Sequence, residues 1–125
     1  HNYDSIKSMI KTVNTYHPQK KLVGLFCIKG DKNILSICNL LRKNFYEIII
    51  CQDKKKYLLN VKKLSKIMKD QKINYLLVSS VDEGLNIIES RDQEEFVGLI
   101  FGSHYIAEEV YYEYGKHFDT NYNLM

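Results

Sequence analysis

Val97-Gly98-Leu99-Ile100-Phe101-Gly102-Ser103-His104-Tyr105-Ile106-Ala107-Glu108-Glu109-Val110 is an apolar run that ends in a small-residue turn and passes at once into helical spacing. Continuous apolar runs of this length are how strands buried on both faces read. Ile106, Val110 and Tyr114 then recur at i, i+4 and i+8, one stripe of a helix, and Gly115 stands where a helix end is expected. Gly102 permits a tight turn and Ser103 is suited to capping the helix that follows. A corner of this kind aims backbone N–H groups beyond the strand's carboxyl end, so it marks an anion or ligand site. Its likeness to the nucleophile elbow of hydrolases stops at Tyr105, which stands where that motif needs a second glycine.

The same strand-then-helix unit repeats upstream. Ile6, Met9, Ile10 and Val13 predict an opening amphipathic helix over 4–16, ended by His17-Pro18. Leu22-Val23-Gly24-Leu25-Phe26 reads as a buried strand, and the turn Lys29-Gly30-Asp31 leads to a helix on Ile34, Ile37, Cys38 and Leu41, with Asp31 expected as its N-cap. Tyr46 to Cys51 is a β-branched strand, followed by a helix on Val61, Leu64, Ile67 and Met68. Tyr75 to Ser79 is a third strand. Ser80 and Glu83 then form a capping-box pattern ahead of Val81, Leu85 and Ile88. Phe96 to Phe101 is the fourth strand. A helix followed by four strand–helix units implies an α/β fold: an open, mostly parallel sheet with right-handed crossovers and helices on both faces. Open α/β domains usually begin on a strand, so a first strand is expected upstream of His1. Ligands in such folds sit at the strands' carboxyl ends. Here those ends are His1-Asn2, Cys27 to Lys32, Cys51 to Lys54, Ser79-Ser80 and Gly102 to Tyr105.

Composition narrows the partners. The 125 residues are 45% apolar and 26% charged, ordinary for one folded domain with a real core. No apolar stretch approaches the ~20 residues of a membrane span, and no membrane partner is expected. Cys27, Cys38 and Cys51 are odd in number and widely spaced, which points to reduced thiols and a cytoplasmic location rather than a disulfide framework. With His1, His17, His104 and His117 scattered as well, no metal site is expected. Net charge is +3, and the one dense basic cluster is Lys54-Lys55-Lys56 after Asp53. It lacks interleaved aromatics, and the only arginines are Arg42 and Arg91, so it reads as a solvated loop and not as a nucleic-acid surface. There is no Gly-x-Gly-x-x-Gly and no P-loop. Lys29 and Lys32, at the turn into the second helix, are candidates to hold a carboxylate or phosphate.

Taken together, these residues resemble the carboxyl-terminal domain of the folylpolyglutamate synthase/dihydrofolate synthase branch of the Mur ligase family. That family has a signature of the form Asp-(Gly/Val/Ser)-Ala-His-Asn-Pro opening a helix, and His1-Asn2 looks like its last part. It next has a strand and an Asp-Lys-Asp-like turn, where Asp31-Lys32-Asn33 stands. Near its end it has an apolar strand running into Gly-Ser-x-(Tyr/His), which Phe101-Gly102-Ser103-His104-Tyr105 resembles closely. The likeness covers essentially the whole chain. The chain departs from the pattern at Tyr3, where proline is usual, at Asn33, where a second Asp is usual, and at Cys27, where glycine is common.

The resemblance implies a Rossmann-like domain and a function. Residues 1–125 would be a single amino-acid-binding domain, a piece of a larger ATP-dependent ligase that adds glutamate to dihydropteroate or folates through an acyl phosphate. His1 would face the nucleotide phosphates and the acyl-phosphate site as the catalytic residue, with Asn2 shaping the nucleotide corner. Lys32, Ser103 and Tyr105 would bind the incoming glutamate. ATP and Mg2+ would be held mainly by a central P-loop domain of the same polypeptide, glutamate and a pteroate or folate would be the substrates, and the enzyme would be a monomer. The 125 residues alone would be inactive. Two alternatives remain at this point: another Mur-type amino-acid ligase, and a stand-alone α/β binding module. A receiver-like module would want acidic residues at the end of the first strand, and Phe26-Cys27-Ile28 offers none.

Overall fold

β1 (Lys21–Cys27) is buried at every position but its first, as its unbroken apolar run requires. In the computed structural model of the protein, which describes residues 3–30 and 33–102, β1 is central. It follows α1 (Tyr3–Tyr16) and precedes α2 (Ile34–Asn44), β2 (Phe45–Ile50), α3 (Val61–Asp70), β3 (Tyr75–Leu77), α4 (Val81–Ser90) and β4 (Phe96–Gly102). The strands form one parallel sheet in the order β3-β2-β1-β4. β1 and β4 run in register from Lys21 opposite Phe96 to Cys27 opposite Gly102.

The alternation of side chains along β1 and β2 sorts the core into two layers. Leu22, Phe26, Ile48 and Ile50 face the apolar stripes of α1 (Ile6, Ile10), α2 (Ile37, Cys38, Leu41) and α3 (Leu64, Met68). Val23, Leu25, Cys27 and Ile49 face Val81 and Leu85 of α4. Helices thus cover both faces, and the expected open parallel α/β sheet is what the chain forms. Each fully buried Leu, Ile or Phe side chain contributes about 1.5–3 kcal/mol against solvent exposure, so these two layers are the main source of stability. Gly24 lets the layers close. A Cβ there would lie 2.5 Å from Phe101 and 2.8 Å from Phe45, whose rings stack with centroids 5.1 Å apart across the strand.

The differences from the sequence-based expectations are local. α2 begins at Asn33, which adopts the left-handed conformation (φ 60°) and makes no side-chain cap; the expected cap Asp31 lies outside the described residues. β3 is three residues long rather than five, and Leu76 and Leu77 are exposed, because a strand at the sheet's edge has a neighbour on one side only. The Ser80 hydroxyl accepts the Glu83 N–H as a capping box requires, but the Glu83 carboxylate reaches one residue further back, to the Ser79 N–H and hydroxyl. The helix expected on Ile106, Val110 and Tyr114 lies outside the described residues.

At the sheet's amino end the chain is tied by side chains. Arg91 pairs with Glu47 at 2.5 Å across β2 and the α4–β4 connection. Lys21 pairs with Glu95 at 3.1 Å and lies over the rings of Tyr46 and Phe96. No helix among the described residues is long and apolar enough to cross a membrane.

Candidate functional site

The sheet order creates a crevice at one place. From β1 the chain moves by way of α2 to β2 on one side, and from β3 it returns by way of α4 to β4 on the other side of β1. The connections therefore diverge at the carboxyl ends of β1 and β4, where open α/β sheets bind ligands. Gly102 ends β4 there with φ 111°, directly opposite Cys27. A Cβ on Gly102 would overlap the Cys27 carbonyl oxygen, so only glycine lets β4 turn off the sheet at this point.

Two helix N-termini meet at the same rim. Tyr3 and Asp4 of α1, with Asn33, Ser36 and Asn39 at the start of α2, line a polar recess of about 390 Å3. These helices pack with their first turns together, so the partial positive charge of both termini faces one space. The exposed turn Lys29-Gly30 leads off β1 beside it.

The β2–α3 loop forms the neighbouring wall, and its shape comes from a buried carboxylate. Asp53 is 3% exposed and accepts the N–H groups of Tyr57 and Leu58 at 2.9 and 3.1 Å. Gln52 donates to Asp53 and accepts the Val61 N–H at 3.0 Å, while the Leu59 N–H donates to the Ile28 carbonyl at 2.8 Å. The loop is thereby fastened to α3 on one side and to the end of β1 on the other. Burial of the Asp53 carboxyl opposes its ionisation, but the Tyr57 and Leu58 N–H groups and the Gln52 amide outweigh it and hold the group below the usual carboxylate range. Lys54, Lys55 and Lys56 are exposed on the loop so formed. At the end of β3, the Ser79 hydroxyl and N–H lower Glu83 in the same direction.

Burial raises the Cys38 thiol, against a smaller opposing effect of Arg42, and all three cysteines are free and buried. None is placed as a nucleophile. Among the described residues no group of three or more His, Cys, Asp or Glu could hold a metal ion.

His1, Asn2, Lys32, Ser103 and Tyr105 all lie outside the described residues. Their neighbours along the chain do not. Tyr3 and Asn33 line one recess, and Gly102 ends β4 opposite Cys27 at the carboxyl end of the sheet. The roles of Asp53 and Gln52 were missed in the sequence, because the run Asp53 to Lys56 has no periodicity to set one member apart. The weak signal was an acid in the loop three residues beyond the last residue of β2, a common place for side-chain capping of a turn.

A crystal structure of Helicobacter pylori folylpolyglutamate synthetase is similar to 93% of this chain, with a TM-score of 0.69 and 18% sequence identity. The two share a fold. The matched region is 28% of that chain's length, so this chain corresponds to a part of the synthetase and not to the whole. No protein-family model matches the sequence, and no curated protein matches it. The similarity to that synthetase thus holds at the level of fold.

Proposed function

We propose that residues 1–125 are the carboxyl-terminal, amino-acid-binding domain of an ATP-dependent ligase that joins glutamate to dihydropteroate or a folate. The observation that supports this reading is the polar recess shared by the starts of α1 and α2 at the carboxyl end of the sheet, on a fold shared with part of a folylpolyglutamate synthetase. The residues read as His1-Asn2, Asp31-Lys32 and Ser103-His104-Tyr105 attach along the chain to the starts of α1 and α2 and to the end of β4.

The chemistry divides between domains. A carboxylate oxygen of the acceptor attacks the terminal phosphorus of ATP, giving an acyl phosphate and ADP. The amine of glutamate then attacks the acyl carbon, and inorganic phosphate leaves. Nothing in the described residues resembles a P-loop or a magnesium-binding cluster, so the phosphates and the metal belong to the central domain on this reading. This chain would present glutamate and close over the reacting groups. Water must be kept from the acyl phosphate, and domain closure does that. Lys32 supplies charge, and the Ser103 and Tyr105 hydroxyls supply hydrogen bonds, to the carboxylates of glutamate beside two helix N-termini. His1 faces the phosphates, with Asn2 beside it.

Phosphate release by the longer enzyme tests this. It should require ATP, a pteroate or folate acceptor and glutamate together, with aspartate and alanine giving little turnover. Turnover with a different acceptor, or with another amino acid in preference to glutamate, overturns the assignment.

A further inference from the structure

The charge of this chain is segregated. Residues 54–69, which run through the β2–α3 loop and most of α3, hold seven lysines and no Asp or Glu. The whole chain carries +3, so the remainder is net acidic at −4. The arrangement works against the helix that bears it. Lys62 and Lys63 occupy the first turn of α3, where the helix dipole favours acids, and no acid stands there. Lys62 and Lys66 are like charges one turn apart, and such pairs repel. Lys62, Lys66 and Lys69 are exposed, and none is paired with an acid among the described residues. A face that only needs solvation intersperses both signs.

These lysines overhang the edge of the sheet. Leu64 and Met68 turn α3 onto the sheet, and the Ser65 hydroxyl donates to the Tyr75 hydroxyl of β3 at 2.9 Å. Ser65 therefore marks the flank of α3 on the β3 side. At about 100° per residue, Lys69, Lys62 and Lys66 follow Ser65 round the helix on that flank, and Lys63 falls on the opposite one. Below them β3 turns part of its backbone outward. β2 accepts from the Val78 N–H and donates to the Asn74 carbonyl, so the alternation sends the N–H and carbonyl groups of Tyr75 and Leu77 away from the sheet. No strand among the described residues pairs there. Leu77 shares the α3 face of the sheet with its partner Ile50 and is 47% exposed.

An edge of this kind accepts a further strand, whose backbone supplies the hydrogen bonds and whose alternate side chains supply selectivity. Charge complementarity fixes what that strand carries. Side chains on one face of a strand recur every ~6.6 Å, and Lys62 and Lys66 stand ~6 Å apart along α3, so acids at alternate positions meet the lysines in step. The same lysines bar a second copy of this edge, which would bring like charge against like. An RNA or a lipid surface would answer the charge but leave the backbone groups unmatched.

We propose that the outer edge of β3 is a docking edge for an acidic, extended segment of a partner protein. The segment adds to the sheet as a further strand and sets alternate Asp or Glu side chains against Lys62, Lys66 and Lys69. This inference goes beyond the ligase reading and stands without it, because the edge uses no residue of the crevice at β1 and β4.

The probe is a fluorescein-labelled decapeptide of alternating glutamate and valine, followed by anisotropy in about 50 mM NaCl. It should bind saturably, and Lys62→Glu, Lys66→Glu and Lys69→Glu together should weaken it about ten-fold or more. The same decapeptide N-methylated at every residue keeps the charge and the side chains but has no backbone donor, and it should lose at least as much. In hydrogen–deuterium exchange the bound decapeptide should slow peptides covering 75–77 and leave those covering 21–27 unchanged. No saturable binding, an unchanged affinity in the triple variant, equal binding of the N-methylated decapeptide, or protection that spares 75–77 overturns the proposal. So does tighter binding of a uridine decanucleotide or of phosphatidylserine vesicles, which would make the lysines a nucleic-acid or membrane surface. Slow exchange of 75–77 in the protein without peptide also overturns it, because a segment of its own polypeptide or a second copy then already fills the edge.

Discussion

Asp53 shows how one buried carboxylate can shape a wall of the site. Replacing it with alanine leaves the Tyr57 and Leu58 N–H groups without their acceptor, and the expected cost is about 2–3 kcal/mol, read by chemical denaturation. Its pH dependence has a fixed sign. The folded-state carboxyl is held below its ordinary value, so its stabilisation is present above the unfolded value of about 4 and is lost as pH falls through the folded one. The stability gap between the wild type and Asp53→Asn should hold from neutral pH down to about 4 and shrink below it. A gap that already fades between pH 8 and 6 would assign the effect to another group. Gly102 is constrained differently. Gly102→Ala forces a β-carbon into the Cys27 carbonyl at φ 111°, and we expect a loss of ~2 kcal/mol or more, measured by thermal unfolding. On the proposed ligase reading, Ser103 bears on function. In the longer enzyme of that reading, Ser103→Ala should cost about 1 kcal/mol of stability through the helix cap expected from the sequence. Loss of a hydrogen bond to a charged carboxylate should also raise the glutamate requirement about ten- to a hundred-fold, with the ATP requirement changing far less. Equal losses for both substrates would make Ser103 a structural corner only.

At the scale of elements, the sequence was legible wherever an apolar period ran long enough to be unambiguous. α1, α3 and α4 each carry three or more apolar residues at helical spacing; α1 forms over Tyr3–Tyr16 against an expected 4–16, and α3 and α4 form around the apolar residues expected of them. β1 carries an apolar run from Leu22 to Cys27 and β2 ends in Ile48-Ile49-Ile50, and the two sit at the centre of the sheet. What could not be read was position within the sheet. Tyr75 to Ser79 is as apolar as β1, yet it lies at an edge and pairs over three residues, because pairing depends on a neighbour that lies far away in sequence. The site shows the same division. That Cys27 and Gly102 stand at strand ends was legible; that β1 and β4 are adjacent was not, since strand order is a property of packing. Caps are local and were read better. The Ser80 hydroxyl receives the Glu83 N–H at 3.1 Å, so Ser80→Ala should destabilise the domain by about 1 kcal/mol. Ser80→Asp should recover most of it, because aspartate accepts the same bond and adds a favourable charge at the helix N-terminus. If both variants lose stability equally, the cap contributes nothing and packing of Val81 accounts for the effect.

For the whole molecule, the two ends of the sheet have different characters. The amino end is closed by side-chain pairs, Arg91 with Glu47 and Lys21 with Glu95. The carboxyl end is a polar rim where two helix N-termini meet and the connections of two adjacent strands diverge. A rim of this kind can hold the carboxylates of an amino acid, but it offers the described residues no metal cluster and no phosphate-binding loop with which to activate a carboxyl group. Activation and capture should therefore separate when the polypeptide is divided. The 125-residue chain, purified alone and supplied with ATP, magnesium, glutamate and a pteroate or folate acceptor, should release no phosphate above buffer. On the proposed reading the longer enzyme should do so, and deletion of residues 1–125 from it should abolish ligation even if some ATP hydrolysis survives, because an acyl phosphate left open to water is hydrolysed before an amine can reach it. Retained ligation in the deleted enzyme would show that glutamate is captured elsewhere. Phosphate release by the isolated chain would show that this rim does the activating chemistry itself.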